Sequence, residues 1–155
     1  MSKIWKKRII CWAIPLAVGA LAALLSGGMD TYQDLKQPPL SPPGWVFPIV
    51  WSILYVLMGD ASFRVLTSGA EKAQIKNALI VYGIQLFLNF LWPLFFFGGQ
   101  LYLAAFLLLI GLWVAILITT RRFSKIDETA GDLLLSYLLW VTFAGYLNLG
   151  VFLLN

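Results

Sequence analysis

The chain has no histidine and a single cysteine, Cys11, and only 12% of its 155 residues carry charge. Each shortage removes a class of function. Without histidine there is no imidazole base, no zinc site of the usual kind and no imidazole axial ligand for haem. One cysteine excludes an internal disulfide framework. A soluble domain has about 25% charged residues, so this composition is not that of a water-facing globule. No segment is a convincing copy of another, which argues against the repeat plan of many secondary transporters.

What remains is apolar and aromatic. Hydrophobic residues make up 61% of the chain, there are seven tryptophans, and mean hydropathy is +0.85. The chain reads as one domain, an all-α integral membrane bundle with little mass outside the bilayer. Its net charge of +4 comes from bases flanking the apolar runs. The membrane accounts for them, and no nucleic-acid partner is expected.

Five apolar runs are long enough to cross a bilayer at about 1.5 Å per helical residue. They are Ile9–Met29, Trp45–Leu66, Asn77–Phe97, Leu101–Thr120 and Asp132–Leu154. The first follows Lys3, Lys6, Lys7 and Arg8, as a signal peptide would, but it is too long for a signal core. With the N-terminus inside, ten of the eleven lysines and arginines face inward and only Lys36 faces outward. The expected topology is therefore N-terminus inside and C-terminus outside. Rows of small residues, Gly19, Ala23 and Gly27 in the first run and Gly111 and Ala115 in the fourth, suit close helix packing.

The 30–44 segment becomes an outer lid. Five prolines fall in the fourteen residues Pro38–Trp51. Pro38 to Pro43 cannot be helix interior, so a stiff extended cover is expected. Ser41 is placed to cap a helix with Pro42 in its first turn. Beneath the lid, polar and aromatic residues share a depth: Trp51, Asn89, Trp92, Trp140 and Asn148, with Gln85 deeper. Gln85, Asn89 and Trp92 lie at i, i+4 and i+7, on one helix face, and so do Trp140, Phe143, Ala144 and Leu147. Pro93 leaves the Asn89 carbonyl without its helical donor and favours a kink. An amide in lipid needs a partner. The pattern fits an apolar, aromatic-walled pocket with a few amides to orient a ligand.

Structural readings compete with this one. Trp45 and Trp113 suit an interfacial belt, and Gln85 serves equally as helix-to-helix glue. Asp60 and Arg64, at i and i+4, read as a neutralised pair rather than an ion relay. Asp132 fits a helix-dipole partner and Cys11 a small apolar filler. The fourth run carries almost no polar groups and is expected to face lipid or a second subunit.

Several motifs in order resemble the translocator protein family, whose bacterial members are called tryptophan-rich sensory proteins. They are Pro42-Pro43-Gly44-Trp45-Val46-Phe47, Trp51, the 54–59 stretch Leu-Tyr-Val-Leu-Met-Gly, Gln85 with Leu88-Asn89 and Trp92, Phe95-Phe96-Phe97-Gly98, and Tyr137 with Trp140, Phe143-Ala144 and Leu147-Asn148. The resemblance covers nearly the whole chain. It implies five helices, a homodimer and a pocket closed by the first loop. It implies tetrapyrrole ligands such as protoporphyrin IX and haem, with isoquinoline carboxamide and benzodiazepine drugs, and no covalently bound cofactor. Carried over, the pocket residues are Trp51, Asn89, Trp92, Trp140, Phe143, Ala144 and Leu147, with Tyr32 and Pro42 from the lid. Ser136 stands where that family usually has proline, and Asp60 where an apolar residue is common. No basic residue follows Lys125, so a cholesterol role is not carried over.

The expected function is tetrapyrrole binding with light- and oxygen-dependent degradation of protoporphyrin IX, with Trp51 and Trp140 as electron donors or radical traps. A non-enzymatic sensor, scavenger or transporter is the alternative, and a structural membrane protein with an incidental pocket is a third reading. The expected location is a bacterial plasma membrane.

Overall fold

The computed structural model describes residues 2–27 and 30–155. Five of its helices are long and apolar enough to span a membrane. The chain is thus a multi-pass, all-helical membrane protein.

Helix α1, Lys3–Leu25, starts well before the first apolar run because Ser2 caps it, its Oγ accepting from the Trp5 N–H at 3.4 Å. Gly28 and Met29, which the first run includes, lie outside the described residues. A short helix α2, Asp30–Asp34, opens the lid. Helix α3 spans Val46–Leu66, and its N-terminal flank is Trp45, with no side-chain cap. The expected Ser41 cap is therefore corrected. Ser41 Oγ donates instead to the Pro38 carbonyl at 2.7 Å, bracing the lid on itself. Helix α4, Lys72–Pro93, continues into a π-helical turn, Leu94–Gly98. There the Gly99 N–H reaches the Leu94 carbonyl, at 2.8 Å. The widened turn follows directly on Pro93.

Helix α5 spans Tyr102–Ile126 and α6 spans Glu128–Leu154. Asp127 caps α6, accepting from the Ala130 N–H at 3.0 Å, so α6 begins a full turn before Asp132. The spans form a closed ring in the order α1, α3, α6, α5, α4. Helix α5 therefore packs on both α4 and α6, and only its outer face, with Leu103, Leu107, Ile110, Val114 and Ile118, is exposed. Trp113, expected in an interfacial belt, instead ties α5 to α6 by donating to Thr142 Oγ1 at 2.8 Å.

α1 is the least embedded span. Within it only Cys11, Pro15 and Ala22 are buried. Its backbone meets that of α3 at Gly59, where an added Cβ would lie 2.5 Å from the Cys11 carbonyl oxygen. Pro15 has no N–H to give that carbonyl, so the free oxygen of α1 lies against the bare backbone of α3. Asp60 then accepts from Arg8 Nε at 2.7 Å, Arg8 Nη2 at 3.1 Å, Trp12 Nε1 at 3.0 Å and Arg64 Nε at 3.2 Å. The expected Asp60–Arg64 pair exists. The shorter, two-point bond joins Asp60 to Arg8 on the neighbouring helix.

Candidate functional site

At the lid end a cavity of about 360 Å³ opens among α1, α3, α4 and α5. This falls within the usual range for small-molecule pockets, about 300–1,000 Å³. Small residues of α1, Gly19, Ala20 and Ala23, form one wall. Trp51 and Tyr55 face them from α3, Asn89 and Trp92 from α4 and Phe97 from the π turn; Leu109 and Leu112 close the α5 side. Ala20, Ala23, Pro48 and Ser52 are exposed, so the mouth lies between α1 and α3, on the outer wall of the ring. That wall faces lipid in a spanning bundle.

The aromatic surfaces are held at fixed angles. Trp51 stacks on Tyr55, with centroids 5.5 Å apart and planes 30° apart, and meets the Tyr137 ring edge-on at 6.2 Å. Tyr55 itself lies against Gly19, where any Cβ would collide with its ring. Trp92 stacks on Phe96 at 5.0 Å.

The amides are already engaged. Tyr55 O–H donates to Asn89 Oδ1 at 2.9 Å, Asn89 Nδ2 to Tyr137 Oη at 2.7 Å, and Tyr137 O–H to Gln85 Oε1 at 2.6 Å. Each group donates to the next, away from the cavity, so the bonds polarise one another. Trp92 Nε1 donates to Asn148 Oδ1 at 2.9 Å, and Asn148 Nδ2 to the Tyr102 carbonyl at 2.8 Å. These chains join α3, α4, α5 and α6 and engage Asn89, Asn148 and the Gln85 side-chain carbonyl oxygen, while Gln85 Nε2 reaches only the Met58 sulfur, at 4.0 Å. The cavity surface is left almost wholly apolar.

Of the sequence-predicted site residues, the structure brings Trp51, Asn89 and Trp92 to the cavity wall. Tyr32, Pro42, Trp140, Phe143, Ala144 and Leu147 stand apart, under the lid and along α6. Phe47 divides the two groups. Its ring lines the cavity, and it packs edge-on against Tyr32 at 5.1 Å and Trp140 at 5.9 Å. Tyr32 donates to the Pro42 carbonyl at 3.1 Å, and burial raises its phenol pKa, so it stays a neutral donor. Trp140 packs on Phe143 at 5.6 Å, and Ala144 and Leu147 are core. Trp140 Nε1 is buried and has no partner among the described residues.

The lid is fastened to α6. Pro38 fits the notch at Gly150, where a Cβ would strike its ring. Tyr146 donates to the Pro39 carbonyl at 2.6 Å, and the Asn155 side chain bonds both the Lys36 N–H, at 3.2 Å, and the Lys36 carbonyl, at 2.8 Å. Leu40 takes a left-handed φ of 70°, an uncommon state for a branched residue, where the lid turns.

Sequence reasoning passed over the α1 wall, Phe47 and Tyr55 as pocket residues. For Tyr55 a signal existed: it lies four residues after Trp51, on the same helix face. For Phe47 there was none, since its role depends on where the lid settles.

The fold and cavity define a five-span membrane protein with an aromatic-walled chamber near its lid end. Comparison with known proteins makes this specific. Residues 11–154 match the TspO/MBR family, and the chain belongs to it. It is 37% identical over 148 residues to the tryptophan-rich protein TspO of Chlorobaculum tepidum, covering 94% of each chain. It is 36% identical to the protein CrtK of Rhodobacter capsulatus, covering 88% of this chain and 85% of the relative. It is also 36% identical to the human translocator protein, covering 78% of this chain and 72% of the relative.

Proposed function

We propose that the chain binds a tetrapyrrole, protoporphyrin IX or haem, in the lid-end cavity and promotes light- and oxygen-dependent breakdown of protoporphyrin IX. The observation that carries this reading is the cavity wall itself. Two indoles and a phenol ring surround an apolar space whose neighbouring amides are engaged by tyrosine hydroxyls and the Trp92 N–H. Such a wall recognises a flat apolar ring by stacking, worth about 0.5–1.5 kcal/mol per aromatic pair beyond area burial. The same wall suits isoquinoline carboxamide and benzodiazepine drugs. A mouth on the lipid-facing wall suits ligands that partition into the bilayer.

The bound porphyrin supplies light absorption, and dioxygen is the oxidant. The protein's part is confinement. Trp51 holds one side of the space through Tyr55 and Tyr137. The unpartnered N–H of Trp140 supports a ligand acceptor on the far side of Phe47, since a buried N–H without a bond is costly. In this reading Trp51 on the wall, or Trp140 across Phe47, donates electrons or traps an oxygen adduct. With no histidine in the chain, metal-free porphyrin and haem are expected to bind alike. The test is illumination of the protein with protoporphyrin IX in air. Trp51→Phe and Trp140→Phe are each expected to lower the yield of distinct product. Equal yields from wild type and both variants would remove the tryptophans from the mechanism.

A second reading, binding without chemistry, is favoured by the wall's composition, since its lining residues include no carboxylate, amine or thiol. One relative's name, tryptophan-rich sensory protein, in Cereibacter sphaeroides, fits that reading. Protoporphyrin recovered unchanged after illumination would establish it. A homodimer belongs to the proposal, with the exposed apolar face of α5 as candidate interface. Cross-linking through a cysteine at Ile110 in a Cys11→Ala background would detect it.

A further inference from the structure

The opposite end of the α1–α3 seam holds a second concavity, of about 310 Å³, lined by Ile4, Trp5, Arg8, Phe63 and Thr67. Its charge is unbalanced. Arg8 of the lining and Arg64, which stands beside the concavity, both bond Asp60, so two guanidinium groups share one carboxylate. Asp60 takes only Nε and Nη2 of Arg8 and Nε of Arg64. Among the described residues the remaining guanidinium nitrogens of both have no protein acceptor, and the two side chains are 27% and 37% exposed. Lys3 and Lys7, each one residue before a lining position, are exposed on the same two turns of α1.

The walls are apolar. The Arg8 guanidinium lies 5.4 Å from the Trp5 ring centre and 5.0 Å from that of Phe63. Trp5 is 49% exposed and Ile4 53%. Water satisfies the free guanidinium nitrogens but leaves indole and isoleucine uncovered, and lipid tails do the reverse. Only an anionic amphiphile answers both. We infer that this crevice holds an anionic phospholipid. The phosphate meets the outer edges of Arg8 and Arg64, where two-point bonding to phosphate oxygens is geometrically suited to guanidinium. The first acyl carbons lie on Trp5 and Ile4. The lysine and arginine distribution sets this end at the inner leaflet, whose surface charge is negative. The inference is independent of what occupies the lid-end cavity.

The test uses the full chain in nanodiscs of phosphatidylcholine containing a tenth phosphatidylglycerol, read by native mass spectrometry of retained lipid. Wild type is expected to retain phosphatidylglycerol about tenfold over its bulk share. Arg64→Gln and Trp5→Ala are each expected to lose most of that enrichment, while Arg121→Gln with Lys125→Gln, a larger loss of charge elsewhere at the same end, keeps it. Glycerol 3-phosphate, added in solution, is expected not to displace the lipid. Enrichment unchanged in Arg64→Gln and Trp5→Ala overturns the site. So does equal loss in the Arg121→Gln, Lys125→Gln control, which would mean diffuse attraction. Displacement by glycerol 3-phosphate would show a soluble-anion site in place of a lipid one. Thermal melting of each variant in phosphatidylcholine alone separates lost lipid from lost fold.

Discussion

The two ends of the α1–α3 seam are built from the same pair of helices yet behave oppositely. Near the basic end the helices touch, Gly59 against the Cys11 carbonyl, and Asp60 binds Arg8 and Trp12 across the gap. Near the lid they part around the cavity. There the serine hydroxyls of both helices bond their own backbones, Ser26 to the Ala23 carbonyl and Ser52 to the Pro48 carbonyl. Small α1 residues leave room opposite Trp51, while Gly19 lets the Tyr55 ring rest directly on α1. A seam clamped at one end and open at the other lets a chamber exist without loosening the whole bundle. At the clamp Asp60 bonds α1 directly, whereas at the opening the α3 and α4 polar groups bond one another and α6 and leave α1 out.

Variants at the clamp should produce the largest effects. Gly59→Val is expected to cost about 3 kcal/mol of stability, the upper part of the range for overpacking, because backbone rather than side chain stands in its way. Unfolding in detergent measures it, and a loss below about 1 kcal/mol would mean the seam yields easily. Asp60→Asn strands Arg8 and Arg64 and is expected to cost about 2 kcal/mol by the same measurement. A neutral result would mean water or lipid satisfies both arginines without the carboxylate.

The opening should respond in ligand exchange rather than stability. Ser52→Trp, at the mouth, is expected to slow porphyrin association about tenfold, equivalent to about 1.4 kcal/mol, with an unchanged melting temperature. Stopped-flow quenching of tryptophan fluorescence reads the rate. Unaltered association would place the entrance elsewhere, under the lid being the other route. Tyr137→Phe breaks the bonds to Asn89 and Gln85 behind Trp51 and is expected to cost about 1 kcal/mol of stability, given the modest worth of hydrogen bonds inside membranes. A larger loss would show the network, and not the clamp, to be the chief tie among α3, α4 and α6.

Much of the architecture was legible in the sequence. Length and hydropathy of the runs mark all five spans, because burial in lipid is a sum over neighbouring residues. The disturbance at Pro93 was readable too, though its form, a π turn, was not. The Trp51, Asn89 and Trp92 convergence followed from depth and helical phase, and those residues share one cavity. Other features resisted. Ser41 looked like a helix cap because serine before proline has that form, but the lid's own backbone competes for its hydroxyl. Asp60 looked paired within its helix, since the spacing was visible and Arg8 was 52 residues away.

The sequence by itself determined that this is a five-span, tryptophan-rich membrane helix bundle of the TspO/MBR family, since hydropathy, helical phase and motif order are all properties of residues close along the chain. Only the tertiary structure decided which carboxamides are spoken for, which indole N–H is left without a bond, and at which end α1 and α3 separate. Those are properties of pairs: Asn89 finds Tyr137 from 48 positions away, and no local count can show whether a donor in lipid has met its acceptor.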